Sequence, residues 1–178
     1  MTRRLATITC IVLAQLATVA TGAQAQNGRL ALEARGGFTL PRGDLEARGA
    51  RSAFAASLDA MYNFHPQFTG YVGVSRDEFD RDFSSQGVQA GLKVIPFREG
   101  TVLPWLSGGV VGQKLNTSVR SSDMSLGFEA GGGADFAISQ QFTLAPGFRY
   151  RSYDAEFGSG TIATSYFTVM LGAHLHLR

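Results

Sequence analysis

The chain has 178 residues, with 16 Lys+Arg against 14 Asp+Glu, 22 glycines, five prolines and one cysteine. That size suits one domain, and the near balance of charge leaves no footprint for a nucleic-acid partner. Glycines scattered through apolar stretches exclude long helices, and a lone cysteine excludes a disulfide framework or a cysteine-ligated metal.

The N-terminus reads as a cleavable export signal. Arg3 and Arg4 precede an apolar stretch from Leu5 to Ala20, and Ala23-Gln24-Ala25 has the small-x-small pattern of a cleavage site. Thr7, Thr9, Gln15 and Thr18 interrupt the stretch, leaving it short of the roughly 20 apolar residues of a membrane-spanning helix. The expected division is therefore a signal peptide, residues 1–25, and one domain, residues 26–178. Cys10 falls inside the signal, too early and too poorly flanked to carry a lipid, so the mature chain holds no cysteine. It also holds fourteen basic against fourteen acidic residues.

Beyond the signal the repeating feature is two-residue alternation, the period of a strand with two unlike faces. Leu30 to Leu40 sets Leu30, Leu32, Ala34, Gly36 and Phe38 against Glu33, Arg35 and Thr39. Ala53 to Phe64 sets Phe54, Ala56, Leu58, Ala60, Tyr62 and Phe64 against Ser57, Asp59 and Asn63, and His65-Pro66-Gln67 then turns the chain. Phe68 to Ser75 carries Val72 and Val74 on one side. Gln86 to Phe97 opposes Val88, Ala90, Leu92 and Val94 to Gln89 and Lys93. Pro96 to Pro104 is a connection, longer than its neighbours and partly strand in expectation.

Trp105 to Lys114 is the least clearly two-faced segment, because Leu106, Val110 and Val111 do not share a parity. Ser125 to Phe136 opposes Leu126, Phe128, Ala130, Ala134 and Phe136 to Glu129 and Asp135, and residues 137–141 turn. Phe142 to Tyr153 opposes Phe142, Leu144, Phe148 and Tyr150 to Thr143, Arg149 and Arg151. Ile162 to Leu177 aligns Phe167, Val169, Leu171, Ala173, Leu175 and Leu177. Pro146 lies inside the seventh segment, where a proline cannot donate to a ladder, so a bulge or a strand start is expected there.

Eight strands of this kind predict an all-β fold, an eight-stranded antiparallel up-and-down transmembrane β-barrel. Short turns near 65–67 and 137–141 alternate with longer polar segments near 41–52, 76–86, 115–124 and 154–161, the asymmetry of a transmembrane barrel. Hydrocarbon offers the backbone no hydrogen-bond partner, so spanning strands must close on themselves. Eight strands enclose only enough space for side chains to fill. The inward charges are then Glu33, Asp59, Glu129 and Asp135 against Arg35, Lys93, Arg149 and Arg151, a matched set that reads as a structural plug of ion pairs. Phe38, Tyr62, Phe64, Trp105, Phe136, Phe142, Tyr150 and Phe167 fall near strand ends, as an interfacial girdle would.

Four segments in this order, 32–38 (LEARGGF), 70–75 (GYVGVS), 127–135 (GFEAGGGAD) and 146–151 (PGFRYR), resemble the OmpA/OmpX-like eight-stranded outer-membrane barrels, the generic outer-membrane β-barrel domain. The resemblance covers roughly Leu30 to the C-terminus. It implies a Gram-negative outer-membrane location, contact with outer-membrane lipid, and a structural or surface-interaction role in the cell envelope through the long loops. Residues 172–177 (GAHLHL) look like the terminal signal read by the barrel assembly machinery, with Leu177 standing where an aromatic is usual and Arg178 following it.

Catalytic and metal chemistry find little footing. His174 and His176 share a strand face and His65 could share their rim, but two-residue spacing holds the rings apart, and rim histidines are the plainer reading against a zinc site. A lipid-modifying barrel enzyme would place His and Ser at the lipid face, and no His-x-Ser arrangement occurs. Asp77, Glu78, Asp80 and Asp82 resemble a calcium loop only superficially, because Arg76 and Arg81 interrupt them; a solvated charged loop is expected. No cofactor is expected. The alternative from another class is a soluble, lipocalin-like periplasmic barrel with its apolar face turned inward around a small ligand.

Overall fold

The computed structural model describes residues 30–80, 83–97, 99, 102–158 and 160–177. The expected signal peptide with Cys10, and Arg81, Asp82 and Arg178, lie outside the described residues. Eight strands run in chain order: β1 Leu30–Arg42, β2 Phe54–His65, β3 Phe68–Asp80, β4 Phe83–Val94, β5 Val102–Thr117, β6 Ser125–Ala137, β7 Phe142–Phe157 and β8 Gly160–His176. Each pairs antiparallel with the next, and β1 pairs with β8, from Ala31 opposite His176 to Arg42 opposite Ser165, closing the barrel. One short helix, α1 (Asp44–Ala47), interrupts the β1–β2 connection. Gly43 at φ 60° and Gly49 at φ 86° bracket it, a backbone region that side chains with a Cβ disfavour.

The strands are longer at one end than alternation suggested. The polar segments expected as long loops at 76–86 and 154–161 are strand hairpins: β3 and β4 stay paired to Asp80 and Phe83, and β7 and β8 to Phe157 and Gly160. Polar outward residues there, such as Arg76, Ser84 and Asp154, do not forbid pairing; they place it in water. β5 begins at Val102, inside the expected connection.

Pro146 is a second departure, since neither a bulge nor a strand start occurs there. The β7–β8 register runs unbroken through Pro146 opposite Leu171. On the other side the β6–β7 pairs lapse between Gly133–Gly147 and Phe136–Leu144 and resume in the same register. A lapse of the ladder beside the residue with no N–H accommodates the proline without an extra residue.

Alternation sorts the side chains by wall. Phe38, Phe54, Leu58, Val72, Val88, Leu106, Val110, Phe148, Val169 and Leu171 are exposed on the outer surface, while Glu33, Asp59, Gln89, Lys93, Gln113, Glu129, Arg149 and Arg151 are buried inside. β5, ambiguous in the sequence, follows the same rule with odd residues inward, so Val111 is interior and Leu106 and Val110 are exterior. Trp105 is inward by the same parity and only 3% exposed, which removes it from the expected girdle. A soluble barrel would need the opposite sorting. From Phe54 to Phe64 the exterior of β2 covers ten residue-to-residue steps, which at about 3.3 Å each and about 40° of tilt span roughly 25 Å, the height of an outer-membrane apolar band.

Leu58 lies midway between Phe54 and Tyr62 on this outer surface. Replacing it with arginine should cost about 2–4 kcal/mol, whereas Ser84→Arg, beyond the band on β4, should cost about 0–1 kcal/mol. Urea-unfolding midpoints of the variants refolded into phosphatidylcholine vesicles check this; equal losses would remove the band.

Candidate functional site in the barrel interior

Every strand contributes inward polar side chains because every second residue must point into the lumen. Eight strands leave too little width for water to solvate those groups, so they solvate one another. The result is three layers along the axis.

At the end carrying α1, the lumen is closed by an apolar cluster of Leu45, Ala50, Phe79, Leu115, Tyr153, Ala155 and Tyr166, with Phe83, Phe157 and Ile162 packed against it. Leu45 comes from α1, so the β1–β2 connection folds over the mouth and seats a fully buried side chain in it. Phe79 meets Tyr166 edge-on at 4.8 Å between centroids.

Beneath the stopper lies the ion-pair layer. Arg151 is its hub: Nε donates to Glu129 Oε2 at 2.9 Å and Nη1 to Asp77 Oδ2 at 2.9 Å and to Ser75 Oγ at 2.7 Å, and Nη2 donates to Gln89 Oε1. Glu129 also accepts from the Tyr71 hydroxyl at 2.6 Å and has Arg149 Nη1 at 3.6 Å. Arg149 donates to Gln89 Oε1 at 3.2 Å and lies 4.0 Å from Asp59. Gln89 in turn donates to Asp59, whose Oδ2 lies 4.0 Å from Arg35 Nη1. Arg35 donates to Glu33, and His174 Nε2 approaches the other oxygen of Glu33 at 2.7 Å. A hydroxyl-amide relay, Tyr153 to Ser85 to Gln113 to Ser75, ties this layer to the stopper at 2.8, 2.9 and 3.1 Å.

The third layer faces the end where the chain termini of the barrel meet. Lys93 donates to both oxygens of Asp135, at 2.9 and 2.8 Å, and its ammonium stands 4.8 Å from the Trp105 ring centroid. The indole fits because Gly133 and Gly147 have no Cβ: one built on either would fall 2.6 or 2.7 Å from Trp105 Cζ2. A cavity of about 140 Å³ opens below, lined among others by Met61, Thr143, His174 and His176.

The eight charged residues expected inside are therefore all buried and within one connected interior, in the pairs Lys93–Asp135, Arg35–Glu33, Arg151–Glu129 and the looser group around Asp59 and Arg149. Asp77 is the addition. Expected in a solvated loop, it is 3% exposed and bonds Arg151 and, at 2.9 Å, the Tyr166 hydroxyl. The signal was available: Asp77 has the parity of Tyr71 and Ser75 on β3, and ending the strand at Ser75 hid it. Five carboxylates thus face four Lys and Arg among the described residues, and His174 Nε2 stands beside one of them, Glu33. His65 is the last residue of β2, where its Nδ1 accepts from the Gln67 N–H of the following turn, and it does not line the cavity with His174 and His176. Among the described residues no group of three or more His, Cys, Asp or Glu could hold a metal ion.

No protein-family model matches the chain. No curated sequence matches it either. Solved structures do match in fold. Neisserial surface protein A (NspA) superposes with a TM-score of 0.73 at 16% identity, covering 85% of this chain and 98% of that one. The N-terminal β-barrel domain of Pseudomonas aeruginosa OprF gives 0.57 at 10% identity, over 83% and 97%. The outer membrane protein OprG from the same organism gives 0.52 at 14%, over 83% and 96%. The chain has the fold of the eight-stranded outer-membrane β-barrels, and its apolar exterior is the one that such a location requires.

Arg151 is the ion-pair partner of Asp77 among the described residues. Arg151→Met should therefore destabilise the barrel by about 3–5 kcal/mol, the cost of a buried charge left uncompensated. Adding Asp77→Asn should recover part of that loss. Unfolding midpoints in urea for the single and double variants decide it; an unchanged midpoint for Arg151→Met would leave the network without energetic weight.

Proposed function

We propose that the protein is a non-enzymatic component of the outer membrane, held in register by a plug of ion pairs and acting through its outer surface instead of through a pore. The observation that carries this reading is the sealed lumen. The apolar stopper around Leu45 and Tyr166 and the bonded layer around Arg151 leave the roughly 140 Å³ cavity on one side only. A solute path would have to break several buried charge-assisted hydrogen bonds, each worth about 1.5–3 kcal/mol.

The orientation follows from the connections. An even strand count puts Leu30 and His176 at the same end, together with the short β2–β3 and β6–β7 turns, and that end belongs to the periplasm. The α1 end, with its long hairpins, then projects from the cell. Residues 1–25 serve as the export signal and residues 26–178 as the mature protein. The barrel assembly machinery reads the closing strand through Leu171, Ala173, Leu175 and Leu177.

Two absences of support weigh against the other readings. Of the histidines at the periplasmic end, His174 stands 2.7 Å from Glu33 and His176 bonds Thr143 at 3.1 Å, and they face the lumen instead of the lipid that a lipid-modifying enzyme would act on. A small apolar ligand in a soluble barrel would need an apolar lumen, and this one is charged.

Expression of the full chain in a Gram-negative host tests the reading. The protein should fractionate with the outer membrane, migrate differently on gels when boiled and unboiled, and have the mass of a chain starting near Gln26. In planar bilayers the purified barrel should give no stable conductance. Recovery as a soluble periplasmic protein, or a steady channel current, would overturn the proposal.

A further inference from the structure

The mouth of the lumen opposite α1 is the cavity of about 140 Å³ below the Lys93–Asp135 pair, and three of the side chains lining it are Met61, His174 and His176. Register brings them together. His176 on β8 pairs with Ala31 on β1, and Ala31 pairs with Met61 on β2, so the three stand in one row across adjacent strands. Ala31 in the middle carries only a methyl group, and inward side chains two strands apart converge toward the axis of so narrow a barrel. His174 joins from the next inward position of β8, in the row of Glu33. Met61 and His174 are buried, and His176 is partly buried at the rim.

Two-residue spacing leaves the His174 and His176 rings 6.2 Å apart between centroids. Two imidazoles that share one cation, each nitrogen about 2.0 Å from it, hold their centroids about 6 Å apart when the cation lies in line between them. Each ring also has an oxygen beside one nitrogen: His174 Nε2 stands 2.7 Å from Glu33 Oε1, and His176 Nε2 stands 3.1 Å from Thr143 Oγ1. An acceptor at Nε2 takes the ring proton and leaves Nδ1 with the lone pair that ligates, the arrangement that orients metal-binding imidazoles. Hard donors are committed elsewhere. Asp135, which lines the same cavity, holds both oxygens on Lys93 and neutralises its ammonium, and Glu33 accepts from Arg35. What remains beside the two rings is the Met61 thioether, which is outside the usual ligand set of zinc and suits Cu(I). Met61 also packs with Ala31 and Tyr71; packing alone would be served as well by leucine.

We infer that Met61, His174 and His176 form a site for a single soft monovalent cation, Cu(I), with Ag(I) as its redox-inert surrogate. The two imidazole nitrogens hold the ion nearly in line, and the sulfur adds a third, weaker bond from β2. The cavity gives the rings and the flexible thioether space to settle on the ion. No pore is needed, because the ion enters and leaves by the one mouth. That this mouth faces the periplasm rests on the orientation proposed above; the ligand set does not.

The test titrates the tag-free barrel in dodecyl maltoside micelles and chloride-free buffer with silver nitrate, and then, without oxygen, with Cu(I) kept reduced by ascorbate. Native mass spectrometry should show a single tightly held ion per barrel. The chain has three histidines, so the imidazole nitrogen NMR signals report on the site directly: Ag(I) should move those of His174 and His176 and leave those of His65. Met61→Leu, which keeps the volume, and His176→Gln should each weaken Ag(I) binding by about tenfold or more, since even groups that only orient a ligand carry that much. His65→Gln should leave the affinity unchanged, as should Met124→Leu at an exposed methionine. Absence of a bound ion, signals that move equally for all three histidines, or an unchanged affinity in Met61→Leu would overturn the site. Zn(II) bound as tightly as Ag(I) would overturn it too, since the thioether would then select nothing. A variant without a heat-dependent gel shift has lost its fold, and the wild-type NMR signals then decide alone. A wild-type protein without that gel shift would sink the membrane reading instead, so the two failures stay distinct.

Discussion

A strand facing hydrocarbon can satisfy its N–H and C=O groups only on another strand, and the pairing of β1 with β8 is where that requirement becomes decisive for this chain. Until those two meet, the first and last segments each present an unpaired edge. Once they meet, every second side chain is committed to a lumen about two side chains wide. The interior is therefore not an independent design. Glu33 and Arg35 on β1, His174 on β8 and Asp59 on β2 come together because closure leaves them no other place.

Committing charges to that space costs solvation, and their mutual attraction returns it only when geometry and hydrogen bonding are complete. Such a network is weak evidence of net stability. Its stronger effect is on register: a one-residue slip of any strand would carry its charges onto the lipid side. Arg151 illustrates the point, since it reaches β3, β4 and β6 from β7 through Asp77 and Ser75, Gln89, and Glu129. A shift of any of those strands would break a bond at this hub. The glycines serve the same end, since Gly133 and Gly147 clear the volume that Trp105 fills beside Lys93.

Most of this could be read from the sequence because lipid and lumen impose opposite demands on neighbouring residues. Segments such as 54–64 and 125–136 alternate so cleanly that their faces needed no structure. Misreadings arose where the demand relaxes. Above the membrane both faces of a strand can be polar, so the hairpins at 76–86 and 154–161 looked like loops and Asp77 like a loop residue. On β5 an inward Val111 and an inward Trp105 broke the pattern, because an interior tolerates an apolar side chain far better than a lipid face tolerates a charge. Pairing partners were beyond reach for a different reason: parity names the wall a side chain faces, while the register between strands decides which carboxylate it meets.

The same asymmetry bears on where function can reside. A lumen whose stopper, ion-pair layer and Lys93–Asp135 pair interlock leaves little freedom for a moving part, and its charges are engaged with one another. The outward surfaces are under the opposite constraint. Between the girdles lipid permits only apolar residues, so any polar or charged side chain with a role outside the lumen must stand beyond the band, on α1, on the projecting hairpins or at the boundary itself. Arg76 and Lys114 occupy that boundary in one row, directly above the exposed Val74 and Val88. A charge placed there keeps its reach into the headgroup layer while its strand still belongs to the barrel, so its position depends on the same closure that fixes the interior.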